Sequence, residues 1–372
     1  MNVLFLASAG GEAHRRTLAA LVADAASRGD VRVLAPDAEG KAMRGSGVTI
    51  ESWKPAGLFS VLRSIGALRR AVDYHAPDAV HAVGWTAAAV ALGALPPPYV
   101  ARTLVTLLDP IVDGEIPKQF IEKRLPELIQ RAGAVTCAYA TLADEVVERF
   151  GVAAERVHVI PPGVTPTHGE VLQRPPGRNG PIVGYLGRLG GDKTWEQAID
   201  ALTQVKMRYP EARVWFEWTG PSRNLVRAYA RGRGVLHEVT FFDDLPPHEF
   251  FTGIDVAIVP RGRDALPYAL LQALVDGVPI VATNFEGLAD TLGPYPVGWL
   301  VPEGAEGIAA GVVDAWKSIA SAWEGAQAQR HAAIAAFDPA AIAERYARLR
   351  EQLALGSNEE TRPPLAGGTP EG

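Results

Sequence analysis

Two stretches, VLFLASAGGEAHRRTLAAL (residues 3–21) and VGYLGRLGGDKTWEQAIDAL (residues 183–202), open the two halves of the chain in the same way. Each is a short apolar run, a Gly-Gly pair and a helical pattern, which reads as strand, tight turn and helix. Gly10-Gly11 and Gly190-Gly191 would each bring bare backbone N–H groups to a helix N-terminus, where the macrodipole favours an anion. A Gly-Gly pair also serves simply as a tight strand-to-helix turn. The duplication favours ligand binding, and two such turns facing across a cleft suit a diphosphate. Neither is the G-x-G-x-x-G of a dinucleotide site, so no nicotinamide or flavin cofactor is expected.

Working outward, β-branched apolar runs alternate with longer helical patterns, the signature of βαβ units feeding parallel sheets. The fold class is α/β. Strands are expected near 3–7, 31–35, 48–53, 79–83, 99–108 and 134–138, and again, after the composition changes beyond 157–160, near 182–186, 214–218, 239–242, 256–259 and 280–282. Between the two sets lies PPGVTPTHGEVLQRPPGRNGP (161–181), rich in Pro and Gly without periodicity, which reads as a linker. The expected organisation is a first domain over 1–163, a linker over 164–180 and a second domain over 181–335. A closing helix follows over 336–355, with Ile342, Tyr346 and Leu349 at helical spacing, and then a disordered tail over 356–372.

The chain has 372 residues, 48% hydrophobic and 21% charged, enough for two cores of ordinary globular composition. Its net charge of −6 gives no field that would recruit nucleic acid. One cysteine, Cys137, excludes an internal disulfide framework and reads as a small core residue; the eight histidines have no metal-ligand spacing. The first residues, MNVLFLASAGG, lack the basic flank and long apolar run of a signal peptide, so a cytoplasmic location is expected. The Ala-rich run from Trp85 to Leu95 is too short to span a bilayer. The segment GLFSVLRSIGALRRAVDYH (57–75) carries Arg63, Arg69 and Arg70 beside an apolar face. It reads first as the cover of a sheet, with weak peripheral contact with an anionic membrane as the alternative.

Taken together, AGGEAHRRTLAALVADAASRGDVRVLAP (9–36), PDAVHAVG (77–84), AVTCAYATLADEVVERFGVAAERVHVIPPGV (134–164), YLGRLGGDKTWEQAIDAL (185–202) and DVAIVPRGRDALPYALLQALVDGVPIVATNFEG (255–287) resemble glycosyltransferase family 4. The resemblance covers nearly the whole chain. It implies the GT-B architecture, two Rossmann-like domains facing across a cleft. It also implies a retaining, metal-independent transfer of a hexosyl-type group from a nucleotide-sugar donor to a hydroxyl of a sugar, lipid-linked or small-molecule acceptor. Arg188 and Lys193 match the family's R-x-x-x-x-K, which holds the donor diphosphate. Cations there stabilise charge that develops on the leaving group, so no divalent ion and no D-x-D triplet are needed. DALPYALLQ matches the family's E-x7-E, with Asp264 and Gln272 in place of the two glutamates and Leu266 and Tyr268 between them. Asp264, Arg188 and Lys193 are thus the implied catalytic set, and Gly10, Gly11, Gly190, Gln272, Leu266 and Tyr268 the implied donor contacts.

Further departures lie in VTLLDP (105–110), where Leu108 stands in place of a histidine beside Asp109, and in PDAVHAVG, where His81 matches the first of a histidine pair and Val83 replaces the second. Within an apolar strand, His81 reads more readily as a hydrogen-bonded core residue than as a reactive one. The changes at Leu108, Asp264 and Gln272 motivate an alternative, a weak or inactive nucleotide-sugar-binding partner subunit or sensor.

Overall fold

The computed structural model describes residues 1–10, 12–43, 48–53, 58–111, 118–169, 172, 178–186, 193–216, 223–242, 245–261, 268–284, 288, 291, 295 and 298–356. The chain divides into two compact units, Met1–Pro161 with Ala340–Gly372, and Pro162–Pro339.

Unit 1 is built on seven strands: β1 (Val3–Ala7), β2 (Val31–Ala35), β3 (Thr49–Ser52), β4 (Ala79–Val83), β5 (Thr103–Leu107), β6 (Ala134–Cys137) and β7 (Val157–Val159). All pairs are parallel, in the order β3-β2-β1-β4-β5-β6-β7. β1, β4 and β5 are buried along their whole length while β3 and β7 at the edges are not, as expected for a sheet covered on both faces by crossover helices. The chain order reverses between β1 and β4, and in such sheets the crevice at the carboxyl ends of the strands at the reversal is where ligands bind.

Unit 2 repeats the plan with β8 (Ile182–Tyr185), β9 (Arg213–Phe216), β10 (Val239–Phe241), β11 (Val256–Val259), β12 (Ile280–Thr283) and β13 (Gly298–Val301), all parallel in the order β10-β9-β8-β11-β12-β13. Its reversal lies between β8 and β11.

Two expectations need correction. Tyr99, Val100 and Ala101 are helical, in a short helix Pro97–Ala101, and β5 begins only at Thr103. Pro97 at the first helical position fixes φ in the helical range and needs no amide partner, which outweighs the strand preference of Tyr and Val. β13 was absent from the expected strands: its GWLV run is only four residues and half-exposed at the sheet edge, and its leading glycine breaks the apolar pattern.

The C-terminal helix Pro339–Leu355 belongs to unit 1, where Ile342 and Tyr346 join the core formed by Val3, Phe5, Leu18, Val22 and Val33, with Leu349 packed at its margin. In helix Leu58–His75, Leu68, Ala71 and Val72 are buried, and Arg69 and Arg70 are exposed; the Arg63 side chain lies outside the described residues. No helix among the described residues is long and apolar enough to cross a membrane.

Candidate functional site

In unit 2 the turn after β8 falls between two fixed points. Leu186 donates its N–H to the Ile258 carbonyl, and the Tyr185 hydroxyl meets Thr194 Oγ1 at 2.6 Å, tying the end of the strand to the first residue of helix Thr194–Arg208. Lys193 sits at the N-cap of that helix with φ +56°, a left-handed conformation costly for a residue with a Cβ. Its side chain is 61% exposed, and Nζ lies 3.4 Å from Glu196 Oε1 one turn on. A cation is thus held in solvent at the positive end of a 15-residue helix, an arrangement that attracts an anion. Arg188, Gly190 and Gly191 lie outside the described residues, as do Asp264 and Leu266. Tyr268 is described as the half-buried first residue of helix Tyr268–Asp276.

Gln272, on the same helix, is buried rather than a helix-surface residue. Its Nε2 donates to the Thr165 carbonyl and to Asp276 Oδ2, both at 3.0 Å, which uses both amide hydrogens and leaves Oε1 as the group able to accept from a ribose hydroxyl. Asp276, fully buried, also accepts from Thr167 N–H at 2.8 Å and Thr167 Oγ1 at 3.1 Å, and lies 3.5 Å from His168 Nε2. Burial pushes the Asp276 carboxyl above its usual range against these stabilising bonds. Arg330 Nη2 donates to the His168 carbonyl, and Val164 N–H to the Phe337 carbonyl. The stretch 164–168, expected as the start of a linker, is therefore clipped to unit 2.

This network gives a reason for glutamine where the family has glutamate. Gln272→Glu would place a second carboxylate 3.0 Å from Asp276 and remove the donor to Thr165. It is expected to cost about 1–3 kcal/mol at neutral pH. The loss should shrink in acid, where a protonated carboxyl again has a hydrogen to donate; urea unfolding at two pH values checks this.

In unit 1 the turn after β1 differs from expectation. The Gly10 N–H, expected to face an anionic ligand, donates to Glu39 Oε1 at 3.2 Å, so a carboxylate of the chain itself occupies that amide. The need for glycine there is steric, since a Cβ would stand 2.3 Å from Cγ of His14. Gly11 lies outside the described residues. His14 is buried, and desolvation pushes its pKa down to about 4 against a hydrogen bond to the Ser8 backbone. Trp53 Nε1 donates to the Ala7 carbonyl and Trp85 Nε1 to that of Asp109, fixing the loops that follow β1, β3 and β5. Leu108 is buried.

His81 is a core residue. It is fully buried, its Nε2 lies 2.8 Å from Thr106 Oγ1, and Arg350 Nη1 approaches its Nδ1 at 3.4 Å. Since guanidinium can only donate, Nδ1 accepts and Nε2–H donates to Thr106. Cys137 is likewise buried, and desolvation pushes its thiol up to about 12, which keeps it unreactive. Among the described residues no group of three or more His, Cys, Asp and Glu side chains could hold a metal ion.

His14, Glu39, Asp276 and Thr167 were not singled out from the sequence. His14 lies four residues after Gly10 and Asp276 four after Gln272, a helical spacing that carries some signal. The pairings Gly10–Glu39 and Gln272–Thr165 are non-local and carry none.

Comparison with solved structures agrees with this architecture. HepE of Anabaena, in a structure described as in complex with UDP-glucose, superposes with a TM-score of 0.76 at 18% identity, over 95% of this chain and 100% of that one. A glycosyltransferase from Rickettsia africae gives 0.74 at 16% identity, over 95% and 98%. Two parallel sheets with interleaved helices, in two Rossmann-like domains, make this a GT-B fold. Residues 10–168 match the family described as Glycosyltransferase Family 4, and residues 173–322 match Glycosyl transferases group 1. The chain belongs to glycosyltransferase family 4. Among curated relatives, 2-deoxystreptamine glucosyltransferase of Streptomyces kanamyceticus is 25% identical over 44% of this chain and 46% of its own length. Glycogen synthase of Mycobacterium tuberculosis is 27% identical over 70% of this chain and 66% of its own. The chain thus spans between about half and two thirds of the length of these relatives.

Proposed function

We propose that this protein transfers a glycosyl group from a nucleoside diphosphate sugar to an acceptor hydroxyl, with retention of configuration and without a metal ion. The observation that carries this reading is Lys193, an exposed cation held in a strained conformation at the start of a helix whose approach is pinned by Tyr185 and Thr194. Arg188 and Lys193 hold the diphosphate. Its charge grows as the glycosidic bond breaks, so the pair stabilises the transition state more than the ground state. The amide of Gly190 adds a contact to the phosphates. Asp264 acts at the donor sugar, Leu266 and Tyr268 contact the donor, and Gln272 accepts from the ribose through Oε1. The UDP-glucose in the HepE structure and the glucosyltransferase relative support UDP-glucose as the first donor to test.

The test is titration with UDP and UDP-glucose, followed by donor hydrolysis. Lys193→Ala should weaken UDP binding about 10- to 100-fold, the value of one charge-assisted contact. Lys193→Gly should weaken it as much while leaving stability equal or up to about 1 kcal/mol higher, because glycine relieves the left-handed strain. Unchanged affinity in both variants would remove the diphosphate from this turn. Donor turnover should persist in excess chelator. Tight donor binding without any turnover would favour the inactive partner or sensor instead.

A further inference from the structure

The sheet reversal of unit 1 brings Ser8, at the end of β1, against Gly84, at the end of β4. Gly84 has φ +90° and caps helix Trp85–Ala94 with no side-chain hydrogen bond. The first bond within that helix runs from Ala88 N–H to the Gly84 carbonyl, so the amides of Trp85, Thr86 and Ala87 have no acceptor inside the helix. His14 faces this point: a Cβ on Gly84 would lie 3.2 Å from its Cε1 and 1.9 Å from Ser8 Oγ. The ring is 4% exposed, and among the described residues its Nε2 has no hydrogen-bond partner. Because the other ring nitrogen bonds to the Ser8 backbone, Nε2 of the neutral ring carries a lone pair and is an acceptor. Glu39 Oε2, on the carboxylate bound to Gly10, is a second buried acceptor that has no hydrogen-bond partner among the described residues. An unmet acceptor of this kind costs about 1–3 kcal/mol.

We propose that this point is a binding site for one hydroxyl of a neutral polyol, seated between the N-terminus of helix Trp85–Ala94 and Nε2 of His14. A hydroxyl accepts from the first-turn amides and donates to the imidazole lone pair, which completes both sides at once. A sulfate or carboxylate, with no proton to donate at neutral pH, would set its own lone pairs against Nε2, and an ammonium would face the positive end of the helix. Ser8 Oγ cannot substitute for the ligand, because it already donates to the Val83 carbonyl at 3.1 Å. Naming the bound hydroxyl as that of the acceptor rests on the glycosyl-transfer reading. The site itself does not, and it is tested without any donor.

The full chain, labelled with 15N in its histidines, is titrated with glycerol, a small polyol, up to molar concentration, and separately with inorganic sulfate. Glycerol should move the His14 Nε2 resonance saturably while the nitrogen stays unprotonated, and sulfate should leave it in place. His14→Phe keeps a ring of similar size in an apolar setting and removes the lone pair. It should weaken glycerol binding, read by saturation transfer to the ligand, at least ~10-fold. Three results would overturn the proposal: a His14 resonance that glycerol does not move, sulfate converting the ring to imidazolium, or glycerol binding equally well to His14→Phe. Loss of glycerol binding with UDP binding intact would concern this site alone, and absence of UDP binding would concern the donor reading alone.

Discussion

Replacing Asp24 by alanine is expected to cost unit 1 about 3–5 kcal/mol, because it strands a buried cation. Arg350, on the C-terminal helix, has a fully buried side chain; its Nη2 donates to Asp24 Oδ2 at 3.1 Å, and its guanidinium lies 5.7 Å from the centre of the Phe5 ring. Burial lowers the Arg350 pKa, with Asp24 opposing the shift. The pair joins helix Glu12–Arg28 to a helix more than 300 residues later. Arg28 reinforces the junction by bonding both Asp24 and Glu344, but it is exposed and worth little by itself. Urea unfolding of Asp24→Ala measures the loss. The double variant Asp24→Ala with Arg350→Met should recover most of it, since an apolar side chain of similar length fills the same space without a charge to desolvate. A single variant losing less than about 1 kcal/mol would show that water or another carboxylate reaches Arg350.

Much of the fold could be read from local chemistry. β1, β4, β5, β11 and β12 are apolar runs bounded by turn residues, and a strand buried on both faces has no alternative pattern to imitate. Where two local signals competed, the stiffer one prevailed, as at Pro97, whose ring fixes a helical start before Tyr99 and Val100 can extend the strand. The cation at Lys193 was legible because its spacing from the Gly-Gly turn is local. Its left-handed backbone was not, since nothing in a lysine codes for positive φ; the Tyr185–Thr194 bond brackets the turn that contains it. Gln272 shows the other limit. Its identity as a departure from glutamate was visible, but the reason lies in Thr165, more than 100 residues earlier, and in a buried carboxylate one helical turn on.

Acid should destabilise unit 1 well before its carboxylates titrate. His14 and His81 are both buried and neutral, with pKa values depressed chiefly by desolvation, His14 to about 4 and His81 well below its ordinary value. In the unfolded chain both return to about 6.5. A depressed histidine contributes stability that is present above the unfolded pKa and is lost as pH falls from there towards the folded one, because over that range only the unfolded state binds the proton. For His14 the window runs from about 6.5 to 4, and the loss across it is about 3 kcal/mol. His81 adds a loss of the same sign over a window that opens at the same pH. His158, only part-buried, adds a smaller one. Between pH 6 and 5 His14 alone should lower the unfolding free energy by nearly one proton's worth, about 1 kcal/mol per pH unit, and His81 adds to that fall. His14→Phe removes the His14 share and should lower the slope by about 1 kcal/mol per pH unit. Urea unfolding followed at several pH values between 7 and 5 checks both numbers. A flat profile, or a slope that His14→Phe leaves unchanged, would mean that His14 takes up its proton in the folded protein as readily as in the unfolded one.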